Sequence, residues 1–173
     1  MDIFDRFHTI GKAFLLLMLI AVELTTTGCS VFSSRQAVIK EPAAKPVVAK
    51  ASDKRLEVVG VALAQLGTPY VYGGATPQKG FDCSGLVQYS HNNAGIWVPR
   101  TAAEQFSHSA RKDVAALLPG DLLFFRTPKS NHVGIYLGGG EFIHAPSRGK
   151  NVRLSSIHRP YWRRYFTGAG SYL

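Results

Sequence analysis

Cysteine is scarce in this 173-residue chain, which has only Cys29 and Cys83. No Cys-x-x-Cys pair occurs, so the spacing usual for structural zinc is missing and no metal or cofactor is expected. A disulfide between the two is disfavoured, because Cys29 closes a signal-like segment and Cys83 opens a helical one. Long apolar runs are missing too. The run from Ala13 to Val22 has ten residues, and a membrane-spanning helix needs about 20. Acidic residues are few, 11 against 20 Lys and Arg, for a net charge of +9. The excess is not gathered into a basic helix or stripe. Residues 30–55 carry +4, and from Leu56 onward 12 basic and 6 acidic residues are widely scattered. That pattern suits a solvated surface or an acidic polymer better than base readout, so no nucleic acid is expected. No internal repeat is present.

What is there begins with an address. Arg6 and Lys12 precede the apolar run, offset by Asp2 and Asp5, and the run suits the core of a secretory signal peptide. It leads into Leu24-Thr25-Thr26-Thr27-Gly28-Cys29-Ser30. The Gly-Cys ending resembles a bacterial lipoprotein processing site, with Thr26 standing where such sites usually carry an aliphatic residue. The resemblance implies a signal peptide over 1–29, lipidation of Cys29 and, from Ser30, delivery to the outer membrane facing the periplasm. Ordinary secretory cleavage or an uncleaved anchor are the alternatives, and all of them export the chain. Residues 30–55, with Pro42, Pro46 and spaced lysines, read as a flexible basic tether.

One folded domain is expected over 56–173. Leu56, Val59, Leu63 and Leu66 recur at helical spacing, predicting a helix over about 53–66 with Ser52 or Asp53 as cap and Gly67 as stop. A Pro/Gly-marked loop follows at 68–74. Cys83 to Asn93 is a second helix with Leu86, Val87 and Ser90 inward, and a short third one follows Thr101. Beyond the Pro119-Gly120-Asp121 turn the pattern changes to strands. Leu122–Phe125 is one, His132–Leu137 and Glu141–His144 form a hairpin across Gly138–Gly140, and Val152–Leu154 reads as a further one. Strands on both sides make the glycine triplet a hairpin turn and not a phosphate loop. Helices followed by strands indicate an α+β domain whose N-terminal helices pack on a mostly antiparallel sheet.

Cys83 carries the chemistry. Asp82 is placed as its N-cap, and a helix N-terminus lowers a thiol pKa by stabilising the thiolate. Gly85 permits close backbone approach, and N–H groups at the helix start could hold an oxyanion. In the hairpin, 132, 134 and 136 share one face, and Phe142 and His144 share a face on the partner strand. His144 can therefore meet His132 and fix its tautomer, as a third member orients a base. His8, His91, His108 and His158 read as surface residues.

Tyr70-x-Tyr72-Gly73-Gly74, Asp82-Cys83-Ser84-Gly85, Pro99-Arg100-Thr101, Leu118-Pro119-Gly120-Asp121-Leu122, His132-Val133-Gly134-Ile135-Tyr136 and Phe142-Ile143-His144-Ala145 occur in that order. With these motifs the domain resembles the NlpC-type family of bacterial cell-wall cysteine peptidases, and the lipoprotein layout is most similar to its Spr and NlpC members. The resemblance implies a papain-like α+β fold and hydrolysis of amide bonds in peptidoglycan stem peptides or cross-links. It makes Cys83 the nucleophile, His132 the base and His144 the orienting residue. Tyr70 becomes a candidate for oxyanion or substrate contact, Asp82 and Ser84 for stem-peptide contact, and Arg100 and Thr101 for support. The stretch Ala75–Gly80 is about one residue longer than usual. A monomer acting on peptidoglycan peptides from a lipid anchor is expected. Amidase or acyl-transfer chemistry on the same fold, and a silent wall-binding adaptor, remain the rival readings.

Overall fold

The computed structural model describes residues 46–173. The segment ending at Cys29, His8 and residues 30–45 of the expected tether lie outside the described residues.

Helix α1 spans Pro46–Leu63, so it begins inside the expected tether and ends before Leu66. Its start suits the sequence. Proline at the first helical position lacks an N–H that would have no helical partner, and Ala49, Lys50 and Ala51 are good helix formers. The inward face also differs from the expected one. Val58 and Ala62 are fully buried and Gln65 nearly so, whereas Leu56 is 66% exposed, Leu63 37% and Leu66 46%. The two stripes share one period and are offset by a single residue, which turns the helix by about 100°. Periodicity identified the helix. Its phase is set by tertiary packing, with Val58 and Ala62 in one core cluster with Leu86 and Val87.

That neighbour is α2, Cys83–Asn93, with α3 at Ala102–His108 beside it. Leu86, Val87 and Ser90 point inward and are fully buried. Thr101 caps α3 in a reciprocal capping box with Glu104, satisfying two otherwise orphaned N–H groups. Between α1 and α2, the strands β1 (Ala75–Thr76) and β2 (Gly80–Phe81) pair as a short antiparallel hairpin.

The remaining strands are β3 (Ala110–Lys112), β4 (Leu122–Arg126), β5 (Asn131–Gly138), β6 (Glu141–His144), β7 (Arg153–Ser156) and β8 (Phe166–Ser171). Helix α4, Pro160–Tyr165, precedes β8. They form one six-stranded sheet in the order β3-β8-β4-β5-β6-β7, every pairing antiparallel. The α+β class is as expected. Sequence reading missed the β1–β2 hairpin, β3, α4 and β8. The Phe-Thr-Gly-Ala-Gly-Ser of β8 has too few apolar side chains to alternate, yet it lies inside the sheet between β3 and β4.

The sheet is buried on both faces. Leu122, Phe124, Val133, Ile135 and Ile143 pack against Val58, Ala62, Leu86 and Val87 of the helices. Leu123, Phe125, Phe142 and Ala169 form a second cluster on the opposite face, covered by Trp162, Tyr165 and Phe166. The β5–β6 turn uses glycine where it must, with φ of 109°, 59° and 81° at Gly138, Gly139 and Gly140. Side chains other than glycine rarely adopt that region.

Arg55, counted as tether charge from the sequence, belongs to the folded domain and is partly buried in it. Its Nη1 donates to Asp121 Oδ1 at 2.8 Å and to the Pro119 carbonyl at 2.9 Å. Asp121 is fully buried and also accepts from the Ser171 hydroxyl and the Leu118 N–H. The Pro-Gly-Asp turn is thereby tied to both α1 and the C-terminal strand.

Candidate active site

Cys83 is the first residue of α2, and Asp82 is its N-cap. Asp82 does more than cap. Oδ1 accepts from the Gly85 N–H at 2.7 Å and from Arg100 Nη1 at 3.0 Å, while Oδ2 accepts from the Gly73 N–H at 2.9 Å and from Arg100 Nη2 at 2.7 Å. Arg100 also donates to the Ser84 hydroxyl at 3.0 Å. Gln105, fully buried on α3, donates to the carbonyls of Ser84 and Pro99 at 3.0 and 2.8 Å. The Cys83 corner is thus held by a mesh of polar contacts. Gly85 is needed there, because a Cβ would lie 2.0 Å from the Gly74 carbonyl oxygen.

The sulfur meets strand β5. The backbone N–H of Val133, one residue past His132, and those of Ser84 and Cys83 act on the thiol to lower its pKa. These donors favour a thiolate, as the helix-start argument requires. They are outweighed. Burial, and then the negative charge of Asp82, push the thiol up to about 11 from its ordinary 9.0. The sequence-based expectation of a lowered thiol pKa is therefore corrected: an enclosed sulfur loses more hydration than the helix terminus returns.

The histidines sit on the sheet face away from the main helices. His132 Nε2 lies 2.8 Å from His144 Nδ1, and His144 Nε2 lies 3.0 Å from the Ser155 hydroxyl of β7. Trp162 of α4 stacks on His132 at 5.3 Å with planes 25° apart and stands edge-on to His144 at 4.9 Å. Phe125 and Phe142 close the same pocket. Burial drives His132 down to about 4 and His144 well below 6.5, the latter also through the charges of His132 and Arg153. Both rings are neutral at ordinary pH.

Ser155 and Trp162 were not singled out from the sequence. Strand β7 starts one residue later than the expected Val152–Leu154 and ends two residues beyond it, and its alternation puts Ser155 on the His144 face. The short Pro160–Tyr165 helix has no apolar period long enough to read. His91, expected at the surface, is fully buried, with Nδ1 2.9 Å from the Val87 carbonyl, and burial lowers it to about 4. His108 and His158 are exposed as expected.

Two clefts flank the site and meet at Tyr70 and Ser130. One, of about 470 Å³, is lined by Cys83, Asp82, Ser84, Arg100 and Tyr72. The other, of about 480 Å³, is lined by His132, His144, Ser155 and Trp162. Tyr70 is partly buried, and burial, then Cys83 and Asp82, raise its pKa above 10.0. It is a hydroxyl donor at the junction.

The NlpC/P60 family matches residues 67–171, the stretch that holds every one of these site residues. The chain belongs to the NlpC/P60 family. It is 46% identical over 112 residues to the probable endopeptidase YafL of Escherichia coli K12, covering 61% of this chain and 45% of that protein. It is 42% identical over 113 residues to the murein DD-endopeptidase MepH of the same organism, covering 62% and 42%. An NlpC/P60 family protein of Bacillus cereus superposes with a TM-score of 0.65 at 31% identity, over 69% of this chain and 40% of that one. The chain thus spans less than half the length of the two curated relatives. Within the family domain, the three polar residues come from α2, β5 and β6.

Proposed function

We propose that this chain is an exported cysteine peptidase that hydrolyses amide bonds in peptidoglycan stem peptides or cross-links. Cys83 is its nucleophile, His132 its general base and acid, and His144 the residue that orients His132. The supporting observation is the His132–His144–Ser155 line, 2.8 and 3.0 Å between partners, on strands that pack against the helix opened by Cys83. The names of YafL and MepH point to the same chemistry in relatives.

Two proton arrangements fit a neutral His–His–Ser line, and one of them supports catalysis. His132 Nε2–H donates to His144 Nδ1, and His144 Nε2–H donates to Ser155. His132 Nδ1 then keeps its lone pair and acts as the base. With the thiol raised and the imidazole lowered, the resting pair is neutral. Attack and proton transfer go together: sulfur bonds to the amide carbonyl carbon as its proton passes to His132. His132 then protonates the departing amine as the C–N bond breaks. Water, giving a proton to His132, attacks the thioester, releases the acid and restores the thiol.

Tyr70 offers its hydroxyl to the oxyanion or substrate, and Ser84 lines the acyl side of the cleft. Asp82 is assigned a positioning role, since both its oxygens are engaged by Arg100 and backbone N–H groups. Lipidation of Cys29, a tether reaching from the membrane and outer-membrane delivery complete the reading, supported by the Gly28-Cys29-Ser30 sequence.

Digestion of purified murein sacculi by the full chain and by Cys83→Ala, with products mapped by mass spectrometry, tests the proposal. We expect cross-linked or stem peptides to be cut by the wild type and at least a thousandfold more slowly by the variant, roughly the cost of losing a triad member. Equal cleavage by both proteins would overturn it.

A further inference from the structure

Gln105 is a buried polar side chain that the reaction as described leaves without a part. It lies on α3 and is fully enclosed. Its amide nitrogen faces two carbonyl oxygens, Ser84 at 3.0 Å and Pro99 at 2.8 Å, so both of its N–H bonds are spent on backbone acceptors. Its Oε1 has no hydrogen-bond partner among the described residues. An orphaned buried acceptor costs stability, which offsets what the two donated bonds contribute. What the amide adds is direction.

That direction closes a ring. The peptide between Ser84 and Gly85 is gripped at both ends, its carbonyl by Gln105 Nε2 and its N–H by Asp82 Oδ1 at 2.7 Å. Asp82 is held in turn by Arg100 Nη1 and Nη2, at 3.0 and 2.7 Å. Arg100 follows Pro99 in the chain, and the Pro99 carbonyl returns to Gln105. The first turn of α2, the Pro99–Arg100 segment and α3 are thus locked to one another beside Cys83. Helix α3 also reaches the Cys83 cleft, through Ala102 and Ala103.

We infer, resting on the peptidase reading above, that Gln105 is a positioning residue for Cys83. By closing the ring it fixes the peptide plane that follows the nucleophile, and with it the aim of the sulfur and of the N–H groups at the helix start. Gln105 does not line the cleft, so it acts only through the segments it joins. Without its amide, Asp82 and Arg100 keep their ion pair, but the Ser84–Gly85 peptide is gripped at one end and can rock. A displacement of about 1 Å at a reacting atom costs up to about a hundredfold in rate. Loss of one grip in the ring should therefore cost about tenfold or more in kcat.

Gln105→Met in the full chain tests this. Methionine keeps the length and bulk, removes both donors and the orphaned Oε1, and leaves the Pro99 carbonyl unpaired instead. One orphan replaces another, so the urea midpoint should stay at the wild-type value. On soluble stem peptides, with sites counted by stoichiometric alkylation of Cys83, kcat per site should fall about tenfold or more while KM stays within about twofold. Amide exchange at Gly85, read by NMR, should speed by about tenfold while the amides of β4 and β5 keep their wild-type rates. Unchanged kcat per site overturns the inference. So does a loss of kcat matched by a lower midpoint and faster exchange throughout the sheet, since that is what a merely structural contact would give. If Gln105→Met does not fold, Gln105→Asn carries the same test, because its shorter stem cannot span both carbonyls. A wild-type chain that leaves stem peptides uncut sinks the peptidase reading alone, and faster Gly85 exchange in the variant would still establish the ring.

Discussion

The two halves of the site are held by different forces. At the Cys83 corner, Asp82, Arg100, Ser84 and Gln105 form a polar mesh around the start of α2, and the contacts are hydrogen bonds and an ion pair of 2.7 Å. On the His132 side the rings are held by packing, with Trp162, Phe125 and Phe142 around the imidazoles and a single hydroxyl, Ser155, at the far end. A nucleophile at Cys83, as proposed, needs directed N–H groups, which a polar frame supplies. The histidines need one neutral tautomer, which exclusion of water supplies.

The two halves should therefore fail at opposite ends of the pH scale, and this is the largest effect expected. His132 and the core residue His91 are held near 4 against an ordinary 6.5. As pH falls from 6.5 towards 4 the unfolded chain takes up protons that the folded domain refuses, so stability falls. Each ring accounts for up to about 3 kcal/mol of that loss. Cys83 shows the reverse, since its thiol is held near 11 against 9.0. The unfolded chain loses that proton first, so stability declines above pH 9. Its sulfur keeps some opening to the cleft, so this alkaline loss is the smaller one. Denaturant titrations from pH 4 to 10 would show it, with His91→Phe flattening the acid limb and Cys83→Ala the alkaline one. An acid limb unchanged in His91→Phe would refute the assignment.

Removing Asp82 should break the polar half alone. Asp82→Ala deletes a cap and strands Arg100 and two N–H groups, and with Arg100 partly exposed the cost is about 2–3 kcal/mol. Activity should drop further than stability, while a fluorescence probe of Trp162 stays unchanged. A change in the Trp162 signal would show that the halves are not independent.

The aromatic half is tested by Trp162→Ala, at about 2 kcal/mol for a half-buried ring. The histidines lose their wall, so kcat should fall with little change in KM, and the acid limb of kcat/KM should move up in pH as water reaches His132. Trp162→Phe should restore most of both. Rescue failing in a folded Phe variant would count against packing as the holding force.

Legibility followed distance along the chain. Asp82-Cys83-Ser84-Gly85 could be read because a cap and its helix start are local, and the β5–β6 hairpin because alternation and a glycine turn are local as well. Strand β8 could not be read, since its small residues acquire meaning only between β3 and β4. Ser155 and Trp162 escaped for the same reason: each matters through a ring brought to it by the sheet. Arg55 shows the cost of reading charge without partners, because in the linear sequence it resembles the tether lysines. His91 sits on a helix whose exposed and buried faces both carry polar residues, so its burial left no mark in the pattern.

By itself the sequence determined the α+β class, the start of α2, the order of the motifs and the residues able to carry thiol chemistry. These depend on short-range geometry, caps and periods of 2 and 3.6 residues, which the chain encodes within a few positions. Tertiary structure decided the phase of α1, the neutral resting state of Cys83 and His132, and the aromatic wall of Trp162. Each of those depends on how much water is excluded and which distant charge arrives nearby. Desolvation and Coulomb interaction act through space, and only the closed fold sets those distances.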